Sequence, residues 1–358
     1  MKKPFIWDRY SDQPYPLKDK IYKKKMRKNH QWDYFSLFFI SLIFFPLGVI
    51  LFLGKNLIEY IINLFVSLSC NKVNQNNFYG MGVDIDKGSI QNELIDELGV
   101  KYLLIRMPLW EMKRVDKYVA FAKSFGEDKE ILINILQDRE HIEDVDLLKQ
   151  DIKIIFEKFS PFVREFQIGN AINRTKWGFF SMKEYLSWYQ IIQKIRDESY
   201  PTIKLIGSSV IDFEFHYTIR TLFNFFSIKY DKFSSLLYVD RRGSPTTTQM
   251  GIFDTKNKID MLYTLVKLSP KTNNEIYITE ANWPLKNTTP YAPTSEKECV
   301  SEEEYSKFMV EYHQIAWLTD RIERVYWHQL IASGYGLIDE RDGLRKREAF
   351  YAYKKMIH

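Results

Sequence analysis

Apolar positions change their rhythm along this chain. From residue 34 to 53 (YFSLFFISLIFFPLGVILFL) they run on with no charged residue. Twenty such residues match what a helix needs to cross a bilayer core of about 30 Å. Pro46 lies within the run, which membrane helices tolerate. Residues 57–69 (LIEYIINLFVSLS) are also apolar, but Glu59 and Asn63 interrupt them. They read as a helix lying on the membrane surface, or as the second arm of a hairpin. A polar linker follows at 71–77 (NKVNQNN). From residue 78 onward short apolar runs of strand type alternate with longer stretches of helical period. Strands are predicted at 79–84, 102–107, 131–136, 165–169, 204–208, 235–239, 276–279 and 325–329. Helices are predicted at 89–98, 115–125, 145–159, 183–198, 217–227, 258–268 and 302–321. Ser181 and Ser301 are cap-type starts, the second with Glu304 three residues on, as in a capping box. Eight strand-then-helix units predict an α/β fold, a (β/α)8 TIM barrel preceded by a transmembrane helix. A dinucleotide-binding open sheet gains no support, because no Gly-x-Gly-x-x-Gly follows the first strand.

Charge adds an orientation. The chain has 358 residues, 45% hydrophobic and 27% charged, a globular composition with a net charge of +5. Residues 1–33 hold ten Lys or Arg against four Asp, so the rest is close to neutral. That argues against nucleic acid as a partner of the main domain. Positive residues flanking a first span stay in the cytoplasm. The division predicted is a basic cytoplasmic arm (1–33), a transmembrane helix (34–53), a juxtamembrane helix and linker (54–77) and the barrel domain (78–358). A single crossing would put the barrel outside the cytoplasm, and a hairpin would return it. Cys70 and Cys299 are too few and too far apart for a disulfide scaffold, and no Cys/His cluster has metal spacing. No cofactor and no metal are expected.

In such barrels chemistry gathers at the C-terminal ends of the strands. Those ends carry Asp84 on the first strand, Arg106 and Trp110 on the second, and Gln137, Asp138 and Arg139 on the third. Asn170 follows on the fourth, Asp212 and Glu214 on the fifth, and Tyr238 and Asp240 on the sixth. Glu280 and Trp283 end the seventh, and Trp327 and His328 the eighth. Two of these ends stand out, Gln167-Ile168-Gly169-Asn170-Ala171 and Ile278-Thr279-Glu280-Ala281-Asn282-Trp283.

Together they resemble the retaining glycoside hydrolases of clan A. In that group the fourth strand ends Gly-Asn-Glu, with the Glu as acid/base, and the seventh ends in a Glu nucleophile. Gly169-Asn170 and Thr279-Glu280 match, and Arg106, Tyr238 and Trp327 fall where the group often has an Arg, a Tyr and a Trp. The resemblance implies Glu280 as nucleophile, with Arg106 keeping it ionised and Tyr238 donating to it. It implies Asn170 on a sugar hydroxyl, and Trp327, Trp283 and Trp177 as sugar platforms. Asp138 is a further substrate-binding candidate. Ala171 stands where the acid/base belongs, and retaining hydrolysis needs two carboxyl groups about 5–5.5 Å apart.

Two readings follow. The first is a membrane-anchored glycosidase or transglycosidase of a cell-envelope carbohydrate, with an acid recruited from Asp138, Asp212, Glu214 or Asp240. The second is an inactive carbohydrate-binding or assembly protein on the same barrel. If Trp327 faces the pocket, strand alternation turns His328 away from it.

Overall fold

The computed structural model of the chain describes residues 6–65 and 77–358. The Cys70 site and most of the predicted linker lie outside them. Eight parallel strands close into a barrel. They are β1 (Tyr79–Val83), β2 (Tyr102–Pro108), β3 (Glu130–Leu136), β4 (Glu165–Ile168), β5 (Lys204–Ile211), β6 (Lys232–Leu236), β7 (Ile276–Ala281) and β8 (Arg324–Trp327). β8 pairs back onto β1, so no strand edge is left open.

Large and small side chains alternate around the barrel interior. Tyr102, Leu104, Leu132, Ile206, Tyr277 and Tyr326 fill it. β1 reads Tyr-Gly-Met-Gly-Val because its inward positions must be small: a Cβ on Gly80 would lie 2.6 Å from the Tyr326 ring. β6 starts three residues earlier than the apolar pattern predicts. Its first residue, Lys232, is buried at the lower end of the barrel, 3.0–3.1 Å from Glu165, Glu275 and Glu323. A buried ion cluster is invisible to a hydrophobicity count.

Eleven helices are described: α1 (Lys20–Asn29), α2 (Gln31–Phe65), α3 (Ile90–Leu98), α4 (Val115–Ser124), α5 (Arg139–Glu143), α6 (Val145–Phe159), α7 (Met182–Ser199), α8 (Phe215–Leu222), α9 (Thr255–Leu268), α10 (Glu302–Leu318) and α11 (Glu348–Ile357). Ser181 caps α7, and Ser301 with Glu304 forms the capping box of α10. The outward strand residues and the inner helix faces make one continuous apolar core. Each fully buried Leu, Ile or Phe in it contributes about 1.5–3 kcal/mol.

α2 departs from expectation. The boundary predicted after residue 53 is absent, and one helix of 35 residues runs through the first apolar segment and into the second as far as Phe65. Its stretch Gln31–Ile58 is long and apolar enough to cross a membrane. One side of it packs on the barrel's helical layer. Phe44 stacks on Phe223 and Phe45 on Phe215, each at 3.8 Å. Gly48 allows the close approach, since a Cβ there would lie 2.8 Å from Met261 Cε. The other side leaves Phe38, Phe39, Leu42, Ile43, Ile50, Leu53 and Leu57 exposed. The arm before it also touches the barrel, through a hairpin pairing Trp7–Asp8 with Gln13–Pro14. A single crossing by α2 would put the arm and the barrel on opposite sides of a membrane, and a hairpin would put them on the same side. Here they are in contact.

Candidate active site at the barrel mouth

β7 carries one residue more than its partner at its C-terminal end. Val325 and Trp327 of β8 pair with Ile278 and Ala281 of β7, two residues against three. This bulge lets both Tyr277 and Glu280 face the interior although their spacing is odd. Glu280 is 8% exposed. Its Oε2 accepts from Arg106 Nη2 at 2.6 Å, and its Oε1 accepts from the Tyr238 hydroxyl at 2.6 Å. The Arg242 guanidinium covers the Tyr238 ring at 3.8 Å and fixes its orientation. Burial alone would raise the Glu280 carboxyl. The Arg106 guanidinium and the Tyr238 hydroxyl outweigh it and hold the group below the usual carboxylate range. Burial and Arg106 push His328 down to about 3, so it is neutral here and lends Glu280 no charge near pH 7.

The end of β4 bends sharply. Gly169 has φ +90, where a Cβ would meet Ile172 at 3.0 Å, and Ala171 has φ +46. Asn170 is gripped from β3. Gln137 accepts from its N–H at 2.9 Å and donates to its carbonyl at 2.8 Å, and Asn134 donates to its side-chain oxygen at 3.0 Å. The Asn170 side-chain N–H2 is buried without a partner among the described residues. A buried donor in that state is costly unless something accepts from it. A ligand hydroxyl at the mouth would serve.

Ala171 contributes a methyl to an apolar wall with Leu136, Trp177, Leu236 and Tyr238. Three of the four candidate acids are engaged elsewhere, and the fourth, Asp240, opens a short helical turn, Asp240–Arg242, beyond β6. Asp138 caps α5 and binds the His141 ring at 2.9 Å. Asp212 and Glu214 both pair with Arg174. The mouth therefore brings together Glu280, Arg106, Tyr238, Asn170 and Ala171, but not Asp138.

Two aromatic expectations are corrected. Trp327 is fully buried, donates to the Tyr305 hydroxyl at 2.8 Å and stacks on Trp283. Trp283 donates to the Gly243 carbonyl at 2.8 Å and packs on Phe308 and Tyr312. Both lie between the barrel and α10, away from the mouth. The reason is strand parity. Arg324 and Tyr326 point inward, where they meet Tyr277, so His328 follows them and Trp327 points out.

Three residues of the arm rest on the mouth. Trp7 lies 5.1 Å from Trp110 and 5.6 Å from Trp177, ring centre to ring centre. Asp12 Oδ2 accepts from Arg106 Nη1 at 2.8 Å, so one guanidinium holds two carboxylates. Gln13 donates to the Pro293 carbonyl at 2.8 Å and accepts from Lys176 Nζ at 2.6 Å. No local signal marks Trp7 or Asp12, since their partners lie about a hundred residues or more away along the chain. A separate cavity of about 540 Å³ lies near the ends of β4 and β5, lined by Arg27, Arg174, Glu214, His216 and others, and excludes Glu280.

No known family profile and no curated protein matches the chain. Solved structures do. A family 39 glycoside hydrolase from Bacteroides cellulosilyticus matches with a TM-score of 0.56 and 12% identity, over 80% of this chain and 65% of its own. A monomeric β-xylosidase from Caulobacter crescentus gives 0.56 and 12%, over 80% and 69%. An exo-β-1,4-mannosidase from an Opitutaceae bacterium gives 0.54 and 11%, over 78% and 59%. The chain thus spans about two thirds or less of these proteins. At such identities the likeness is one of fold, and the chain has the parallel eight-stranded barrel found in family 39 glycoside hydrolases.

Proposed function

We propose that this is a membrane-attached, glycoside hydrolase-like protein that binds a carbohydrate at the barrel mouth and keeps its nucleophile, Glu280, without an acid/base partner. The observation carrying this reading is one carboxylate pinned by Arg106 and Tyr238 beside an apolar wall built on Ala171. Such a site supports half of retaining chemistry. A Glu280 oxygen attacks the anomeric carbon, the glycosidic C–O bond breaks and the leaving oxygen departs with the electron pair. An alkoxide needs a proton at that moment, and losing that help costs about 10²–10⁴ in rate. A nitrophenolate needs none. The glycosyl ester then accumulates, because no base activates water to cleave it.

The test follows from that asymmetry. The full chain is mixed with 2,4-dinitrophenyl β-glycosides of xylose, glucose, mannose and galacturonic acid, chosen because the neighbours' names include xylosidases, a glucosidase, a mannosidase and a galacturonidase. One equivalent of dinitrophenolate should appear in a burst, and one glycosyl mass should map to the Glu280 peptide. Azide should restore turnover, and Glu280→Gln should abolish the burst. Absence of burst and adduct with all four sugars refutes the reading.

Membrane attachment draws on two features of the N-terminal region. The outer face of α2 is largely apolar from Trp32 to Ile58, and α1 beside it carries Lys20, Lys23, Lys24, Lys25, Arg27 and Lys28. Each such charge near an anionic lipid surface contributes about 1 kcal/mol. The contacts of α2 with α8 and α9 favour attachment along the barrel flank over the single crossing read from charge, because a crossing would pull those contacts apart.

A further inference from the structure

We propose that residues 6–15 are a removable plug that closes the carbohydrate site, with Trp7 in the place of a sugar ring and Asp12 on the guanidinium that holds the nucleophile. The proposal rests on the carbohydrate reading above and adds its regulation.

Trp7 sits against Trp110 and Trp177 and over the apolar cluster that contains Ala171 and Tyr238. A pyranose ring has an apolar C–H face of similar width, and the same aromatic surfaces suit both. Asp12 and Gln13 supply the polar half. They satisfy Lys176 and the Arg106 Nη1 that Glu280 leaves free, donors that would otherwise reach for a ligand hydroxyl. The segment thus reproduces both halves of sugar recognition, stacking and hydrogen bonding.

Its attachment is light. The hairpin pairs only two residues with two, and Ile6, Tyr10 and Tyr15 stay exposed. Residues 15–19 carry no regular structure and join the segment to α1. Withdrawal would leave every barrel strand paired as it is.

Charge makes the closed state responsive to pH. Burial pushes the Asp12 carboxyl up to about 7. Arg106 and Lys87 pull it down, while Asp84 and Glu280, both acidic and close by, push it further up. A group whose value rises on docking takes up a proton on docking. Closure is therefore favoured at acidic pH and loosens as pH rises through about 7.

The experiment uses the full chain in detergent micelles, labelled with 5-fluorotryptophan. The Trp7 resonance is assigned by its loss in Trp7→Ala. We expect it at a shielded, broadened position at pH 6, moving to the free position at pH 8.5 or in Asp12→Ala. We also expect the Trp7→Ala/Asp12→Ala variant to form the Glu280 adduct with the activated glycosides at least tenfold faster than the unmodified chain. A Trp7 signal at the free position at pH 6 overturns the proposal whatever the sugars do. So does a docked Trp7 with equal trapping rates in the two proteins. A docked, releasable Trp7 with no trapping in either protein supports the plug and defeats the carbohydrate reading instead.

Discussion

Replacing Arg106 with methionine should cost far more at pH 7 than at pH 4. The guanidinium donates to Glu280 at 2.6 Å in a site where the carboxylate is 8% exposed. Removing one partner of a buried ion pair costs about 3–5 kcal/mol. Glu280 has an escape, since it can take up a proton. At pH 7 a carboxyl with an ordinary value near 4.3 needs about 3–4 kcal/mol to do so, which caps the loss. At pH 4 the same proton costs under about 1 kcal/mol. In the unmodified chain Glu280 titrates below its ordinary value, so the pair stabilises the fold above that value and stops doing so as pH falls through the lowered one. Arg106 also holds Asp12, so the comparison is made in an Asp12→Ala background, which leaves Glu280 as its one carboxylate partner. Urea unfolding in micelles, followed by far-ultraviolet circular dichroism at both pH values, reads the difference. Repeating it on Glu280→Gln should shrink the pH 7 loss to about 1 kcal/mol, that of a neutral hydrogen bond. Equal losses at pH 7 and pH 4, or an unchanged loss beside the neutral amide of the Glu280→Gln variant, would refute the argument.

Tyr238→Phe removes the 2.6 Å hydroxyl donor to Glu280 and nothing else of the carboxylate's cage. A hydrogen bond to a charged group contributes about 1.5–3 kcal/mol. The acidic limb of the pH profile for adduct formation should move up by about one to two pH units, and a fixed limb would disprove the contact's role. For the membrane, sealed vesicles bearing the full chain should expose the arm and the barrel to added trypsin on the same side. Cleavage of only one of them would return the topology to a crossing.

The barrel was legible because its repeat is local. Each strand-helix unit signals itself in apolar period and caps, and Ser301 with Glu304 makes the box its spacing predicts. The meeting of Glu280, Arg106, Tyr238 and Asn170 at one barrel mouth was legible because all four sit at strand ends. Trp327 and His328 were misread by one position, since side-chain direction on β8 depends on what Tyr326 meets across the barrel. Asp138 was misread because its partner, His141, lies three residues on and claims it as a cap. The seat of Trp7 was illegible. It depends on contacts between segments about a hundred or more residues apart, for which a single sequence carries no period.

The surplus residue near the end of β7 has an evolutionary corollary. Losing Thr279 would restore even pairing with β8 and set the carboxylate two residues from Tyr277, still on the interior face. No change of residue type would be needed, and the local composition would hardly differ. Descendants of this chain could therefore shed the bulge by a single in-frame codon deletion and keep the reactive group inside the barrel.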